Sequence, residues 1–484
     1  MKELQIIALE VSTASAKCAL YSPQDGITKT VERRLPPEVT DWVTQDADGM
    51  VQVALDTLKE LVSQIDVSID AIGLGGTWHS LLLLDEGLKP LHPISTWADL
   101  MAKDLVADLR QDRAYVQEHY HRTGCMTHAM YPLYKYRYLS QTAPELIKEA
   151  RFVSSQIEYL FLQLTGERAV SHANASGSSL YNLHISSWDQ DLLAEVWLTV
   201  DKLSELKSNF YLGALTPEVA QFVGLPSGTP VTVGMPDGAL NQVAVGGANK
   251  GVMSFSVGTS GALRLAVDEP TLPKEPSTWC YHLMDGTYLA GAATNGTNNL
   301  DWFMENAAAS GQDYAYYNQA VASVDPAEAP FFLPFIYGER CPGWGENRLG
   351  GFLGLKPQHN RAQMYYAVLE GILFNLYQCY EILSTTAGEP EQIMVSGGIM
   401  NSPTWLQMAS DIFDRELFTT GTKNDSTFGA ALVAAAALAG GSAALQTLTS
   451  DISSVSVSRP RGREISRVYK ERYRRYLELY GKLS

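Results

Sequence analysis

The chain opens on an apolar run, Leu4-Gln5-Ile6-Ile7-Ala8-Leu9-Glu10-Val11, which is short and rich in isoleucine and predicts a buried strand. Small polar residues occupy 12–17 and a second apolar run begins at Cys18, so the pattern predicts a hairpin with a polar turn over 12–17. The same succession recurs over 251–267 as strand, Gly-Thr-Ser turn and strand, a duplication of pattern with little identity. Each half also holds a strand running into two glycines, AIGLGG at 71–76 and IMVSGG at 393–398, where bare backbone lets a ligand come close. Helical stretches separate these strands; 48–64 is one, and 361–385 is apolar on most faces, as a central buried helix would be. Strands mixed with helices in this way specify an α/β protein. The segment VGGANKG places a boundary near 245, giving an N-terminal domain over 1–245 and a C-terminal domain over 246–484.

Two stretches depart from this pattern. Residues 426–450 carry no charge, but they are Ala-rich, include Gln446 and are interrupted by Gly440-Gly441-Ser442, which predicts a buried helix of a soluble protein and not a membrane span. The tail from Arg459 is rich in Lys and Arg, and Tyr469, Tyr473, Tyr476 and Tyr480 fall at helical spacing. That pattern predicts an amphipathic helix docking a tyrosine stripe while its basic face meets solvent.

A length of 484 residues suits two or three cores. Lys and Arg number 36 against 53 Asp and Glu, a net charge of −17 that disfavours nucleic acid and anionic membranes as partners and favours small molecules. The cysteines Cys18, Cys125, Cys280, Cys341 and Cys379 are odd in number, scattered and never spaced CxxC, which argues against disulfides and zinc knuckles. With no signal-peptide anatomy at the start, a cytoplasmic location is expected.

Candidate chemistry gathers at the turns. Tight Gly/Ser/Thr turns present backbone N–H groups and hydroxyls to phosphate oxygens. Gly258-Thr259-Ser260-Gly261 is one such turn, although on its own such a hairpin is more often just a turn. Ser12-Thr13-Ala14-Ser15 followed by Lys17 is a second, and two facing hairpins would clasp a polyphosphate. Asp237 ends a strand in TPVTVGMPDGAL, where it is either a turn or N-cap residue or a carboxylate able to accept a proton from a substrate hydroxyl. Glu10 ends an apolar strand, where a buried acid needs hydrogen bonds or a metal. Trp78-His79 and Trp97-Ala98-Asp99 lie in loops suited to a polyol, or else belong to the core.

Taken in order, GGTWHS, TWAD, LTGE, NASG, VGMPDG, VGTSG, FLPFIYGERCPGW, GGFLGLKPQHNRAQMYYAVLEGILFNL and VSGGIMNS resemble the FGGY family of carbohydrate kinases over about residues 4–445, and TGCMTHAMYPLYK resembles its gluconokinase-like branch. The resemblance implies two actin-like, ribonuclease-H-type domains around a central cleft, sugar held mainly by the first and ATP by the second. It casts Asp237 as the base, Gly258, Thr259, Ser260 and Gly261 with Thr13 and Lys17 as phosphate contacts, and Gly397, Gly398 and Asn401 as the adenosine pocket. Trp78, His79, Trp97, Asp99 and Asp237 meet the substrate, and Glu10 and Asp237 position Mg2+ through its bound water. Gluconate is the leading substrate and xylulose the runner-up; a catalytically weak sugar-binding relative and a nucleotide-driven structural protein are the readings of other classes. A carboxylate substrate asks for a cation, with Lys135, His128 and Arg340 as the candidates, and a homodimer stays open. Three positions depart from the family: Glu10 and Ser12, where Glu10-Val11-Ser12-Thr13 replaces Asp-x-Gly-Thr, and Met101, which stands where an arginine is frequent.

Overall fold

The computed structural model describes residues 4–420, 425–450 and 452–482. Two seven-stranded sheets organise it, and both start from the predicted hairpins. In the first, β1 (Ile6–Val11) pairs antiparallel with β2 (Ser15–Ser22), which pairs with β3 (Gly26–Arg34). On its other side β1 runs parallel to β4 (Ala71–Gly76), followed by β6 (Pro230–Thr232) and β5 (Leu212–Ala214), while β7 (Met235–Pro236) also pairs with β4. The second sheet repeats the plan. Its β8 (Val252–Val257) is antiparallel to β9 (Ser260–Val267) and parallel to β12 (Gln392–Gly397), with β10 (Trp279–Met284) and β11 (Thr287–Asn295) beyond β9, and β13 (Leu417–Thr419) and β14 (Val455–Ser458) beyond β12.

β1 reads as a nearly unbroken apolar run because both its faces are covered. Ile7, Leu9 and Val11 join a core with Leu58 and Leu61 of α1 (Ala47–Val62). Ile6 and Ala8 join the other core, which includes Ala430 and Ala434 of a helix, called α5 below, over Ser426–Ala439. That helix comes from the second half of the sequence yet lies on the first sheet. Its alanines allow an approach so close that a Cβ at Gly73 of β4 would sit 2.2 Å from the Ala430 carbonyl oxygen. The uncharged stretch is thus two helices, Ser426–Ala439 and Ser442–Ser450, and among the described residues no helix is long and apolar enough to cross a membrane.

The structure corrects the first turn. Ser15, Ala16 and Lys17 already belong to β2, with Lys17 opposite Glu10, so the turn is only Ser12–Ala14. It closes early because Ser12 Oγ accepts the Ala14 and Ser15 N–H groups, at 3.1 and 2.9 Å.

The tail, α6 (Arg463–Lys482), docks its tyrosines on α4 (Arg361–Ala387): the Tyr469 and Tyr366 hydroxyls lie 2.7 Å apart, and Tyr473 and Tyr476 pack on Phe374. The basic face does not meet solvent throughout. Arg472 falls between Tyr469 and Tyr476 on the docked face, so it is buried and forms two 2.6 Å bonds to the Glu370 carboxylate. All five cysteines are free and buried.

Candidate active site

Parallel register brings the chemistry together. Val11 of β1 lies beside Gly76 of β4, and Pro236 of β7 lies beside the same Gly76, so three strands end at one level. Their outgoing loops carry the Ser12 turn, Trp78-His79 and Asp237, the last opening α3 (Asp237–Ala244). Ligands in α/β folds bind beyond such carboxyl ends. From the second half the start of β9 faces them, and between lies a cavity of about 260 Å³ lined by Trp78, His79, Trp97, Asp237, Arg264 and Arg340, among others.

Each first-half group is held by backbone. The Trp78 indole N–H donates to the Ala173 carbonyl at 3.1 Å, and His79 Nδ1 lies 2.7 Å from the Gly177 carbonyl, which places the proton on Nδ1 and leaves Nε2 as an acceptor. Burial pushes the His79 pKa down to about 3, so the ring is neutral. Trp97 lines the cavity with the Arg340 guanidinium 5.8 Å from its ring centre. Asp99 is buried but lies outside the cavity lining; its Oδ1 accepts the Met101 N–H at 2.9 Å and shapes its own loop.

Two of the three cation candidates point elsewhere. The Lys135 ammonium, on α2 (Pro132–Thr142), donates to the His79 carbonyl at 2.9 Å and to the Thr96 carbonyl, tying the two tryptophan loops together. Burial lowers its pKa to about 7, against the pull of Asp99. His128 is buried, its pKa pushed well down by desolvation, and its Nε2 faces Glu346 at 3.3 Å. Arg340 does line the cavity, donating to Ser260 Oγ at 2.7 Å and to the Thr294 carbonyl at 2.8 Å.

Asp237 accepts the Gly238 N–H at 2.7 Å. Burial raises its pKa, while the positive charge of Arg264 opposes that rise and favours the ionised form. The guanidinium of Arg264 reaches the start of α3, where a Cβ on Gly238 would come within 3.2 Å of its Nε and 2.7 Å of the Trp78 ring. That Nε is buried and has no hydrogen-bond partner among the described residues. Sequence reasoning missed Arg264, although a lone charge inside the apolar strand GALRLAV was the available signal.

Glu10 is buried, with Oε1 accepting from the Ser426 hydroxyl at 2.5 Å and Oε2 from the Thr427 hydroxyl at 2.6 Å. Its pKa rises to about 7, mainly through desolvation, with the Asp237 and Asp425 charges adding to it and the two hydroxyls working against it. Lys17 is ion-paired with Asp425, which caps the start of α5. Thr13 lines the cavity.

In the second half, Gly258 and Thr259 form the two-residue link between β8 and β9, and their carbonyls turn away to accept the N–H groups of Thr297, Gly296 and Asn298. Thr259 is exposed, and a Cβ on Gly258 would meet open space. Gly397 of β12 pairs with Val257, so the second double glycine adjoins this turn. Its φ of +87° and the Val257 carbonyl oxygen, 2.5 Å from where a Cβ would stand, both require glycine. Gly398 and exposed Asn401 continue the same rim.

Residues 5–244 match the N-terminal domain of the FGGY family of carbohydrate kinases, and residues 253–438 match its C-terminal domain. The chain belongs to this family. It is 29% identical over 444 residues to a gluconokinase of Bacillus subtilis (strain 168), covering 88% of this chain and 86% of that one. A gluconate kinase structure from Lactobacillus acidophilus superposes with a TM-score of 0.94 at 27% identity, covering 100% of this chain and 98% of the other. A ligand-bound xylulose kinase from the same organism gives 0.93, also at 27%, covering 99% and 98%. This FGGY kinase therefore has the two-domain actin-like fold, and it is a phosphotransferase that uses ATP and takes the alcohol group of a sugar or sugar acid as acceptor.

Proposed function

We propose that the acceptor is a sugar acid, with D-gluconate converted to 6-phosphogluconate. The observation that carries this reading is the charge of the cavity: among the described residues, two guanidinium groups, Arg264 and Arg340, line it against the single carboxylate of Asp237. Such a wall favours an anionic substrate over a neutral ketose. With Lys135 and His128 engaged elsewhere, Arg340 is the group for the substrate carboxylate, and its planar fork suits bidentate contact. Trp78, His79 and Trp97 wall the carbon chain.

Asp237 accepts the proton of the attacking hydroxyl as its oxygen bonds to the γ-phosphorus and ADP departs. Gly258 to Gly261, with the Thr259 and Ser260 hydroxyls, hold phosphate oxygens, and Gly397, Gly398 and Asn401 face the adenosine. Glu10 and Asp237 would hold a magnesium ion through its bound water: among the described residues no group of three or more His, Cys, Asp or Glu is gathered to bind one directly, and the Asp237 charge is felt at Glu10, so the two carboxylates are near enough to share such an ion. When bound, Mg2+ neutralises charge on the phosphates. Buried free thiols accord with a cytoplasmic setting.

The second reading, a xylulose kinase, is favoured by the equal identity of the structural neighbour named xylulose kinase. A coupled ATP-consumption assay across gluconate, xylulose, ribulose and glycerol separates the two. Gluconate is expected to give the highest kcat/KM, and Arg340→Met is expected to raise its KM roughly tenfold or more while sparing a neutral sugar. Clear preference for xylulose by the unmodified enzyme overturns the sugar-acid assignment and leaves the family standing.

A further inference from the structure

The loop over 339–350 leaves the second half and reaches the first. Trp344 within it is 2% exposed and lines the sugar cavity. Its φ is +53°, a conformation that a bulky L-residue keeps only where its surroundings hold it. Three contacts do so. Its indole N–H donates to the Ser277 carbonyl at 2.8 Å, its ring packs edge-on against His128 at 5.2 Å, and its own carbonyl accepts from Arg110 Nη1 at 2.6 Å.

Arg110 ends the short helix Lys103–Leu109 of the first half and is anchored there by Nε, which donates to the Thr127 carbonyl at 2.7 Å. Its Nη1 also donates to Glu346 Oε2 at 2.8 Å. The other Glu346 oxygen faces His128 Nε2 at 3.3 Å. Because His128 Nδ1 accepts the Met130 N–H at 3.1 Å, the neutral ring carries its proton on Nε2, the nitrogen turned toward Glu346. Arg110 thus grips one second-half carboxylate, two residues from the tryptophan that closes the cavity, while His128 stands against that carboxylate's other oxygen, which has no hydrogen-bond partner among the described residues.

A largely buried ion pair is weak evidence for stability, since apolar groups of the same volume frequently serve as well. The Arg110 and Glu346 side chains are only 20% and 17% exposed, and Arg110 Nη2 has no hydrogen-bond partner among the described residues. Positioning accounts for the arrangement better. We propose that Arg110, His128 and Glu346 form a cross-cleft latch that sets Trp344 as the closing wall of the sugar cavity. They are positioning residues acting through Trp344: they fix the depth offered to the sugar and exclude water from the phosphoryl acceptor position.

The test uses the full chain and whichever sugar it turns over fastest, so it does not depend on the gluconate assignment. Glu346→Gln and Arg110→Met are each expected to raise KM for the sugar roughly tenfold, with KM for ATP unchanged, and to increase ATP hydrolysed per sugar phosphorylated. The double variant is expected to be no worse than the more severe single variant, as for one shared contact. Arg110→Lys, which keeps the charge, is expected to recover part of the loss. Unchanged sugar KM, equal changes in sugar and ATP KM, or multiplying effects in the double variant overturn the latch. If Arg110→Met fails to fold, the near-isosteric Glu346→Gln decides alone through the ratio of ATP hydrolysed to sugar phosphorylated, and an unchanged ratio overturns it.

Discussion

The two walls of the cleft are built on the same hairpin but leave opposite things free. In the first wall the turn is closed on itself by Ser12, Glu10 is held by the Ser426 and Thr427 hydroxyls, and Lys17 is paired with Asp425. His79 is neutral, and Lys135 donates to backbone carbonyls. In the second wall, Thr259 is exposed on an open turn, and Arg264 and Arg340 put charge into the cavity. A duplicated scaffold has thus been divided into a saturated wall, which shapes the site, and an open one, which supplies donors and charge. Phosphoryl transfer asks for positioning and for charge stabilisation, and the division assigns one to each wall.

Asp237 stands between the walls, and removing it should leave both intact while abolishing the chemistry. Asp237→Asn is expected to lower kcat by roughly 10² or more with nucleotide binding retained, the scale for loss of a general base. Stopped turnover alongside calorimetric ATP binding checks it; near-normal turnover removes Asp237 from the mechanism.

Next in size is a paired substitution that asks whether the turns differ as described. Thr259→Val is expected to cut kcat/KM for ATP by roughly tenfold or more without altering thermal stability, because Thr259 is exposed on the open turn and packs in no core. Ser12→Ala does the reverse. It removes the acceptor of two N–H groups, so it should cost about 1 kcal/mol of stability and change kcat/KM for ATP by less than about threefold. Parallel kinetics for the two variants would erase the asymmetry.

Much of this was legible because it is local. Strand and turn patterning is enough to find both hairpins, and the end of an apolar strand at Pro-Asp-Gly makes Asp237 a candidate, whereas its part in the reaction is read from the family resemblance. What was not legible depends on distant partners. Glu10 reads as a stranded buried acid until Ser426 and Thr427, more than four hundred positions away, supply its hydrogen bonds. Lys135 reads as a free cation until the carbonyls of two other loops close on it. Arg472 reads as solvent-facing because it belongs to a basic tail, and only the position of Glu370 on α4 shows that it is docked. Ser15 to Lys17 read as turn because small polar residues are common there, whereas Ser12 alone ends the turn. Ionisable side chains were the residues most easily misplaced, since their environment and not their identity decides what they do.

The smallest expected effect tests whether His79 is electrically quiet. His79 has its pKa lowered from 6.5 to about 3 by burial, so between those values the unfolded chain binds a proton that the folded chain does not. Stability therefore rises with pH across that window: it is full above about 6.5 and falls as the solution is acidified toward 3. His119 and His282, also lowered to about 3, act in the same direction, and each group steepens the slope by at most about 1.4 kcal/mol per pH unit. His79→Asn isolates one of them. Asparagine can donate to the Gly177 carbonyl as Nδ1–H does and tolerates the φ of +64° at this position, but it does not titrate. Denaturant unfolding from pH 4 to 8 should show a shallower acid slope in the variant. Any change in sugar KM between pH 5 and 8 should be shared by the unmodified enzyme and His79→Asn, because the imidazole remains neutral throughout while Glu10 and Lys135, with pKa values of about 7, are common to both. A rise in sugar KM as pH falls through 6.5 that is present in the unmodified enzyme and absent from His79→Asn would mean that His79 titrates in the folded protein, and this part of the first wall would then be a charged participant.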